Sequence, residues 1–462
     1  MQKNLSSIKI VVIGLMLLTS LLLFGLFAIF TVDDAWITFR YGLNLIEHGV
    51  WNYHPYPIER VEAYTNALYA FLSIIPHALE MPVVLFFKLI AIIILGCFVL
   101  QILKYRNLNA AVLGMLLLGT SAFFFVHLVS CLETGIFMLL IFIVSLKNED
   151  FFSEKKLLIT IAFLFPLIRP EGALFSAVLG LWAIQRKDWK SVKALVFTGL
   201  VLGIYYAIRT YFFESNFPNP FYMKTVKYYS LNILDSLKSS YFFWIPTVIL
   251  LALTKRKSAF IWFVLSLGIW VFLYSPSVLF MNYAARFPFQ IFFPLLLSAV
   301  VSAGLYISNP DISQLRKISI IAVCLFSVVL WGHKSYQEKN ELFYLIKYST
   351  SSDASHKPLA LELNKFNPLR IMLGDVGIFG YFSKSHIIDL AGLAHKKIAR
   401  QSLTLDMMKA ESPDLIFLYA QKRDPADILD VLQQKVVKEY IDQHGGFEVI
   451  SYIRCLDVNV LV

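Results

Sequence analysis

Long apolar stretches constrain the fold of this chain more than any other feature of its sequence. Residues 8–30 alone form an apolar run that is long enough to cross a bilayer. Of the 462 residues, 58% are hydrophobic and only 16% are charged, whereas soluble globular chains carry roughly 25% charged residues. We therefore predict a polytopic α-helical membrane protein.

Eleven segments are predicted as membrane-spanning helices: residues 8–30, 83–103, 110–127, 133–146, 157–168, 172–185, 192–212, 241–254, 259–275, 287–307 and 316–332. Lys3 and Lys9 lie at the start of the first segment, as in a signal peptide, but no small-residue cleavage site follows it, so we expect a retained helix. With the N-terminus inside, every dense basic cluster of the loops falls on the inner side. An odd number of spans then places the C-terminal region outside.

The first outer loop, residues 31–82, is unusually long. Its apolar part, residues 64–80, is short and is broken by Pro76 and His77. Another span at this point would reverse the sidedness of every later loop. We therefore predict an interfacial helix that lies on the outer surface. The membrane domain, with this loop, is expected to cover residues 1–335.

Residues 340–462 are richer in charge and are predicted to form a small extracytoplasmic α/β domain. Short apolar runs at 369–373, 386–390 and 415–419 are typical of buried strands, and helical patterns at 402–410 and 424–440 alternate with them; a fourth run covers 447–453. The loop Gly374-Asp375-Val376-Gly377 follows the first predicted strand. Its incomplete glycine pattern favours a tight turn over a phosphate-binding loop.

Two adjacent carboxylates, Asp33 and Asp34, directly follow the first span. Carboxylates are costly to place near lipid, and two like charges raise the proton affinity of at least one of them. A carboxyl group with a raised pKa at a lipid surface can serve as a general base for a lipid-linked substrate. The alternative is that the pair only marks the end of a helix in water.

Other charged and aromatic residues fall on the same predicted outer side: Arg40, Glu62, Tyr64, Glu133, Arg169, Glu171, Tyr222, Lys224 and Arg286. Several have a structural explanation, because Arg169 can pair with Glu171 across a turn, Glu133 can start a helix, and Lys224 can extend to the interface. These explanations, taken singly, do not account for the concentration of acids on one face.

Glycosyl transfer from a lipid-phosphate carrier is chemistry that such a set can perform. Arginine and lysine would bind the donor phosphate and stabilise it as it leaves. A carboxylate would accept the proton of the acceptor hydroxyl, and further acids would favour the developing sugar cation. Nucleotide sugars are cytoplasmic, so an active site on the outer face favours a lipid-linked donor.

The chain resembles the GT-C superfamily of integral membrane glycosyltransferases, and within it the bacterial group typified by mycobacterial terminal arabinofuranosyltransferases. The resemblance rests on ordered stretches along most of the chain: Asp33-Asp34-Ala35-Trp36-Ile37-Thr38-Phe39-Arg40-Tyr41, Val61-Glu62-Ala63-Tyr64-Thr65-Asn66, Leu132-Glu133-Thr134, Arg169-Pro170-Glu171-Gly172, Pro218 to Thr225, Ala285-Arg286-Phe287, Gly374 to Gly377 and Ile388 to Leu393.

This resemblance implies a polyprenyl-phosphate sugar donor and an aspartate base in the first outer loop, which is Asp33 here, with Asp34 as the alternative. It makes Arg40, Arg169, Lys224 and Arg286 candidate contacts of the donor phosphate or sugar. Candidate contacts of the sugar or the acceptor are Glu62, Tyr64, Glu133, Glu171 and Tyr222. The implied donor sugar is a pentose such as arabinofuranose, and the acceptor is a cell-envelope glycan, a lipopolysaccharide or a surface protein. The implied location is the bacterial inner membrane.

Two other functions fit the same residues, a polysaccharide polymerase and a transporter or flippase of lipid-linked glycans. A transporter would favour charges in mid-span, whereas here the charges lie near the outer ends of spans. The four cysteines, at 97, 131, 324 and 455, form no CxxC pair, so we predict neither a metal site nor a disulfide framework. No cofactor is predicted; a divalent cation is left open. The basic loops are an orientation signal, so the net charge of +10 does not indicate nucleic acid.

Overall fold

The computed structural model describes residues 2–56, 59–147, 154–226, 230–277, 279, 281–366, 369–420, 434–444, 452–455 and 458–461. Its helices are α1 (Gln2–Phe27), α2 (Asp33–His48), α3 (Ala67–Leu72), α4 (Ile74–Ala78), α5 (Val83–Leu103), α6 (Leu108–Thr120), α7 (Ala122–Val129), α8 (Thr134–Leu146), α9 (Lys155–Ile168), α10 (Gly172–Gln185), α11 (Trp189–Phe213), α12 (Asn219–Phe221), α13 (Ile233–Thr254), α14 (Lys257–Ile269), α15 (Arg286–Tyr306), α16 (Gln314–Gln337), α17 (Lys339–Leu363), α18 (Ile378–Phe382), α19 (Lys396–Arg400), α20 (Leu405–Glu411) and α21 (Gln434–His444).

Six strands complete the secondary structure: β1 (Arg370–Leu373), β2 (His386–Asp389), β3 (Leu415–Ile416), β4 (Leu418–Ala420), β5 (Tyr452–Cys455) and β6 (Val458–Leu461). Two π-helical turns, Tyr222–Val226 and Trp270–Tyr274, follow α12 and α14. The described chain is therefore mostly helical, and its strands are short and confined to the C-terminal part.

Seven helices of the described chain are long and apolar enough to cross a membrane. They lie in α1, α5, α11, α13, α14 with its π-helical turn, α15 with the short turn before it, and α16. The pair α6 and α7 forms an eighth candidate, with a bend of 70° between the two helices. These helices confirm the coarse prediction of a polytopic helical protein that is compatible with a membrane.

The three remaining predicted spans are helical but short. They form α8, α9 and α10, which contain 13, 14 and 14 residues. At 1.5 Å per residue such helices are about 20 Å long, less than the roughly 30 Å of a hydrocarbon core. The count of eleven crossings therefore stays a prediction. Residues 64–80, predicted as an interfacial helix, contain the short helices α3 and α4.

The chain divides into two compact units. Unit 1 contains Met1–Ile29, Leu85–Ile204 and Ser230–Phe343, and unit 2 contains Phe30–Val84, Tyr205–Tyr229 and Tyr344–Val462. In unit 1, α15 is almost entirely buried and packs against α6, α8 and α13. This grouping differs from the predicted division at 335/340, because the first outer loop joins the C-terminal segment in unit 2.

A small parallel sheet organises the C-terminal part of unit 2. Its strand order is β2-β1-β3, with Ile371 opposite Ile387 and Met372 opposite Ile416. A second, antiparallel sheet has the order β4-β6-β5. Met372 and Ile388 are fully buried, with helices α19, α20 and α21 contributing apolar side chains to the same core.

The strands predicted at 369–373, 386–390 and 415–419 are confirmed as β1, β2, and β3 with β4, and the helical pattern at 402–410 as α20. Of the predicted helix 424–440, residues 424–433 lie outside the described residues, and α21 begins at Gln434. Of the run 447–453, residues 447–451 lie outside the described residues. The longest described helices that were not predicted are α2, inside the first outer loop, and α17.

Candidate active site

The Asp33 carboxyl group lies against the glycine turn that follows β1. Its Oδ2 accepts a hydrogen bond from the Gly377 N–H at 2.8 Å, and its Oδ1 accepts one from the Ile378 N–H at 2.9 Å. A Cβ atom built on Gly377 would lie 2.5 Å from Oδ2 and would overlap the Asp33 carbonyl oxygen. Only glycine therefore allows this approach, which explains the tight turn and fixes the orientation of the carboxyl group.

Two further carboxyl groups lie near Asp33. Asp33 is 5% exposed, while Asp34 and Asp375 are half-buried. Burial, together with the charges of Asp375 and Asp34, raises the pKa of Asp33 to about 8 against two opposing backbone hydrogen bonds. Asp33 is thus an oriented carboxyl group with a pKa near neutrality. A raised pKa was predicted from the sequence for one member of the Asp33–Asp34 pair.

The described contacts of the Arg40 guanidinium group are with other residues of unit 2. It donates to the carbonyl oxygen of Gly380 and lies 4.6 Å from the ring centre of Tyr53. The Tyr53 hydroxyl in turn donates to the Val376 carbonyl oxygen at 2.7 Å. Because Arg40 is 2% exposed, these contacts favour a role in supporting the Asp33 turn over the predicted contact with donor phosphate.

Glu62 forms a buried ion pair with Arg209. The Arg209 Nε donates to both carboxylate oxygens of Glu62, at 3.0 and 2.8 Å, and its Nη2 also contacts the carboxylate. Burial raises the pKa of Glu62, whereas Arg209 lowers it. The neighbouring Tyr64 is buried, and its hydroxyl accepts a hydrogen bond from the Trp51 indole at 3.2 Å. The ring centres of Tyr64 and Tyr41 are 4.6 Å apart.

Tyr222 and Lys224 lie in the π-helical turn after α12, and both are half-buried. The Arg400 guanidinium lies 4.9 Å from the ring centre of Tyr222. The side chain of Asn219, at the start of α12, donates to the Leu393 carbonyl oxygen at 3.1 Å. The segment from Pro218 to Thr225 is therefore held against the loop after β2 and against α19, within unit 2.

The remaining predicted residues form a buried charge network in unit 1. Arg169 donates to Glu133 at 2.6 Å and also to Glu171, and Arg286 donates to Glu133 at 3.1 Å. The Tyr274 hydroxyl donates to Glu171. The predicted pairing of Arg169 with Glu171 across the turn is thus present, and it extends into a network of two arginines and two glutamates.

The eleven predicted site residues therefore fall into two groups. Seven lie in unit 2: Asp33, Asp34, Arg40, Glu62, Tyr64, Tyr222 and Lys224. Four lie in unit 1: Glu133, Arg169, Glu171 and Arg286. Sequence reasoning missed Arg209, Tyr53, Tyr274 and Arg400 as partners of these residues. The position of Arg209 near the end of an otherwise apolar helix was the one available signal, because a cation there needs a partner.

Within the described ranges, no three His, Cys, Asp or Glu side chains are arranged to hold a metal ion.

Comparison with known proteins gives one partial match. Residues 354–455, about a fifth of the chain, are similar to a family described as a domain of unknown function (DUF8728). No curated protein matches the chain. The matched region contains β1, the Gly377 turn and β2, so the backbone groups that hold Asp33 lie in the part of the chain that is similar to this family.

Proposed function

We propose that the protein is a GT-C-type membrane glycosyltransferase that moves a sugar from a polyprenyl-phosphate donor to a cell-envelope acceptor. The acceptor is a glycan, a lipopolysaccharide or a surface protein. The reaction takes place on the outer face of a bacterial inner membrane, with the N-terminus inside and the C-terminal domain outside. The donor sugar is a pentose such as arabinofuranose, as the sequence resemblance implies.

The geometry of Asp33 is the observation that supports this proposal best. A general base must be oriented and must have a pKa near the working pH. Two backbone N–H groups orient the Asp33 carboxyl group, and each oxygen keeps a second lone pair that can accept a proton. Burial and nearby carboxylates raise its pKa to about 8. Asp33 would take the proton of the acceptor hydroxyl as the new glycosidic bond forms and the lipid phosphate leaves.

The other predicted residues of unit 2 are assigned to substrate binding or to positioning. Lys224, half-buried in its π-helical turn, is the candidate contact of the donor phosphate, because an ammonium group stabilises the leaving phosphate by charge. Tyr222 offers an aromatic face to the sugar or the lipid. Glu62 pairs with Arg209, and Arg40 donates to the Gly380 carbonyl oxygen, so we assign both residues a positioning role.

The network of unit 1 is proposed to contact the sugar or the phosphate through Arg169 and Arg286. Both arginines form an ion pair with the same carboxylate, Glu133, so the charge of each arginine is partly balanced in the described structure. An anion that approaches these arginines would compete with Glu133 for their N–H groups. Glu133→Gln should therefore strengthen, not weaken, any anion binding at this network.

The test is transfer from a synthetic donor by the purified protein in membranes. Polyprenyl-phosphate arabinose and a polyprenyl-phosphate hexose are supplied in parallel, with a nucleotide sugar as the control donor. We expect release of polyprenyl phosphate and labelled product from a lipid-linked donor, and no transfer from the nucleotide sugar. Use of the nucleotide sugar alone, or long polymeric products from repeated addition, would contradict the proposal; the second result would favour a polymerase.

A further inference from the structure

A cavity of about 910 Å³ lies within unit 1, and none of its described lining residues is assigned to the reaction above. It is formed by the ends of α5, α8, α10 and α15, the start of α9 and the connection between α13 and α14. These ends belong to the loops that carry the dense basic clusters, which we expect on the cytoplasmic side. We therefore expect the cavity to open to the cytoplasmic side.

Cations dominate the polar part of the cavity wall. Its described lining residues include five cationic side chains and one carboxylate: Lys104, Lys147, Lys255, Arg256, Lys257 and Glu154. The cations come from three separate loops, so their convergence on one cavity is a property of the fold. An excess of positive charge around an enclosed space favours an anionic ligand.

Two of these cations differ from ordinary orientation charges because Lys147 is buried and Arg256 is half-buried. The Lys147 side chain is only 7% exposed and contacts Glu154. Arg256 donates to the Leu146 carbonyl oxygen at 2.9 Å and to the Ser302 hydroxyl. Its Nε is buried and has no hydrogen-bond acceptor among the described residues. A membrane orientation signal requires only a charge at the surface, whereas a half-buried arginine with a buried, unused Nε–H donor favours a bound acceptor.

Apolar side chains share the wall with the cations. Leu146, Trp182, Ile261 and Leu305 also line the cavity. A ligand that fits both surfaces carries a phosphate at one end and hydrocarbon at the other. Basic pockets between membrane helices on the cytoplasmic side bind anionic lipid headgroups by the same combination of contacts.

We propose that this cavity binds a phosphate-bearing anion, and that the headgroup of an anionic phospholipid supplies it. The lysines provide the long-range attraction, and the half-buried Arg256 donates directly to phosphate oxygens. The inference does not depend on the glycosyltransferase proposal, because it uses no residue of that site.

The test counts bound ligand on the delipidated full-length protein in neutral detergent by native mass spectrometry. Phosphatidylglycerol is the lipid probe, and glycerol 1-phosphate is the soluble probe. The variant Lys104→Gln/Lys257→Gln removes two exposed cations of the cavity and leaves the hydrogen bonds of Arg256 in place. The matched control, Lys190→Gln/Lys193→Gln, removes two exposed lysines of another basic cluster that do not line the cavity.

We expect the cavity variant to bind phosphatidylglycerol about 30-fold more weakly than the control, from the usual contribution of two lysines near a membrane surface. If glycerol 1-phosphate binds where phosphatidylglycerol does not, and its binding is weakened by the cavity variant alone, the lipid assignment is overturned and the ligand of the anion site is a soluble phosphate. Equal weakening in both variants, or no binding of either probe, would overturn the proposal. Loss of sugar transfer with lipid binding intact would bear only on the proposed function.

Discussion

Gly377→Ala tests directly how the turn after β1 holds the Asp33 carboxyl group. The φ angle of Gly377 is −69°, so the residue lies outside the left-handed region that favours glycine. The new Cβ would lie 2.5 Å from Oδ2 and still closer to the Asp33 carbonyl oxygen, where ordinary contact begins at 3.4 Å, so the turn must retreat by at least about 1 Å. Hydrogen bonds of 2.8 and 2.9 Å then lengthen to about 3.8 Å or more and are lost.

The loss leaves two buried N–H groups without an acceptor, which costs about 1–3 kcal/mol for each. We therefore expect Gly377→Ala to reduce the free energy of unfolding by about 2–6 kcal/mol. Thermal unfolding of the detergent-purified protein measures this loss.

Gly180→Ala in α10 is the matched control, because a Cβ at Gly180 meets nothing within 4 Å. This control should change stability by less than about 1 kcal/mol, in the stabilising direction expected of alanine in a helix. If the two variants unfold at the same temperature, the glycine turn does not hold Asp33 as described.

Three further predictions concern the pairs and the sidedness. Arg209→Ala should destabilise the protein by about 3–5 kcal/mol because Glu62 loses its buried cation. In thermal unfolding, the double variant Glu62→Gln/Arg209→Met should recover part of this lost stability. Additive losses in the double variant would contradict this expectation. The pKa of Asp33 is raised from 3.8 to about 8, so its contribution to stability is present below about pH 4 and is lost as the pH rises towards 8. Asp33→Asn should flatten that part of the stability curve, whereas a curve parallel to that of the unmodified protein would count against the raised pKa. A thiol introduced by Lys224→Cys should react with an impermeant reagent in intact cells, and reaction only after lysis would reverse the proposed orientation.

Elements that carry a local pattern could be predicted from the sequence. The boundaries of α5 and α10 match the predicted segments, because an apolar run ends where polar residues begin. Strands β1 and β2 lie within one residue of their predicted limits, because short apolar runs between turn signals are typical of buried strands. The helix α2 was missed because polar residues such as Asp34 and Asn44 interrupt its apolar positions and the segment follows a span directly.

Contacts between distant residues could not be predicted. Asp33 and Gly377 are 344 positions apart, and Glu62 and Arg209 are 147 apart. Composition identified these side chains as unusual, but no local pattern specifies which partner a buried charge takes. Arg40 illustrates this, because the family resemblance made it a candidate contact of the donor phosphate or sugar, while the fold directs it to the Gly380 carbonyl group.

Sugar transfer by Asp33→Asn tests the central claim most directly. With a polyprenyl-phosphate donor, the account predicts a fall in rate of about 10²–10⁴-fold, as expected when a general base is lost. Asp34→Asn should retain more activity and should shift the pH–rate profile to lower pH, because it removes one like charge that raises the pKa of Asp33. Undiminished transfer by Asp33→Asn, with the pH–rate profile unchanged, would show that Asp33 only holds the glycine turn.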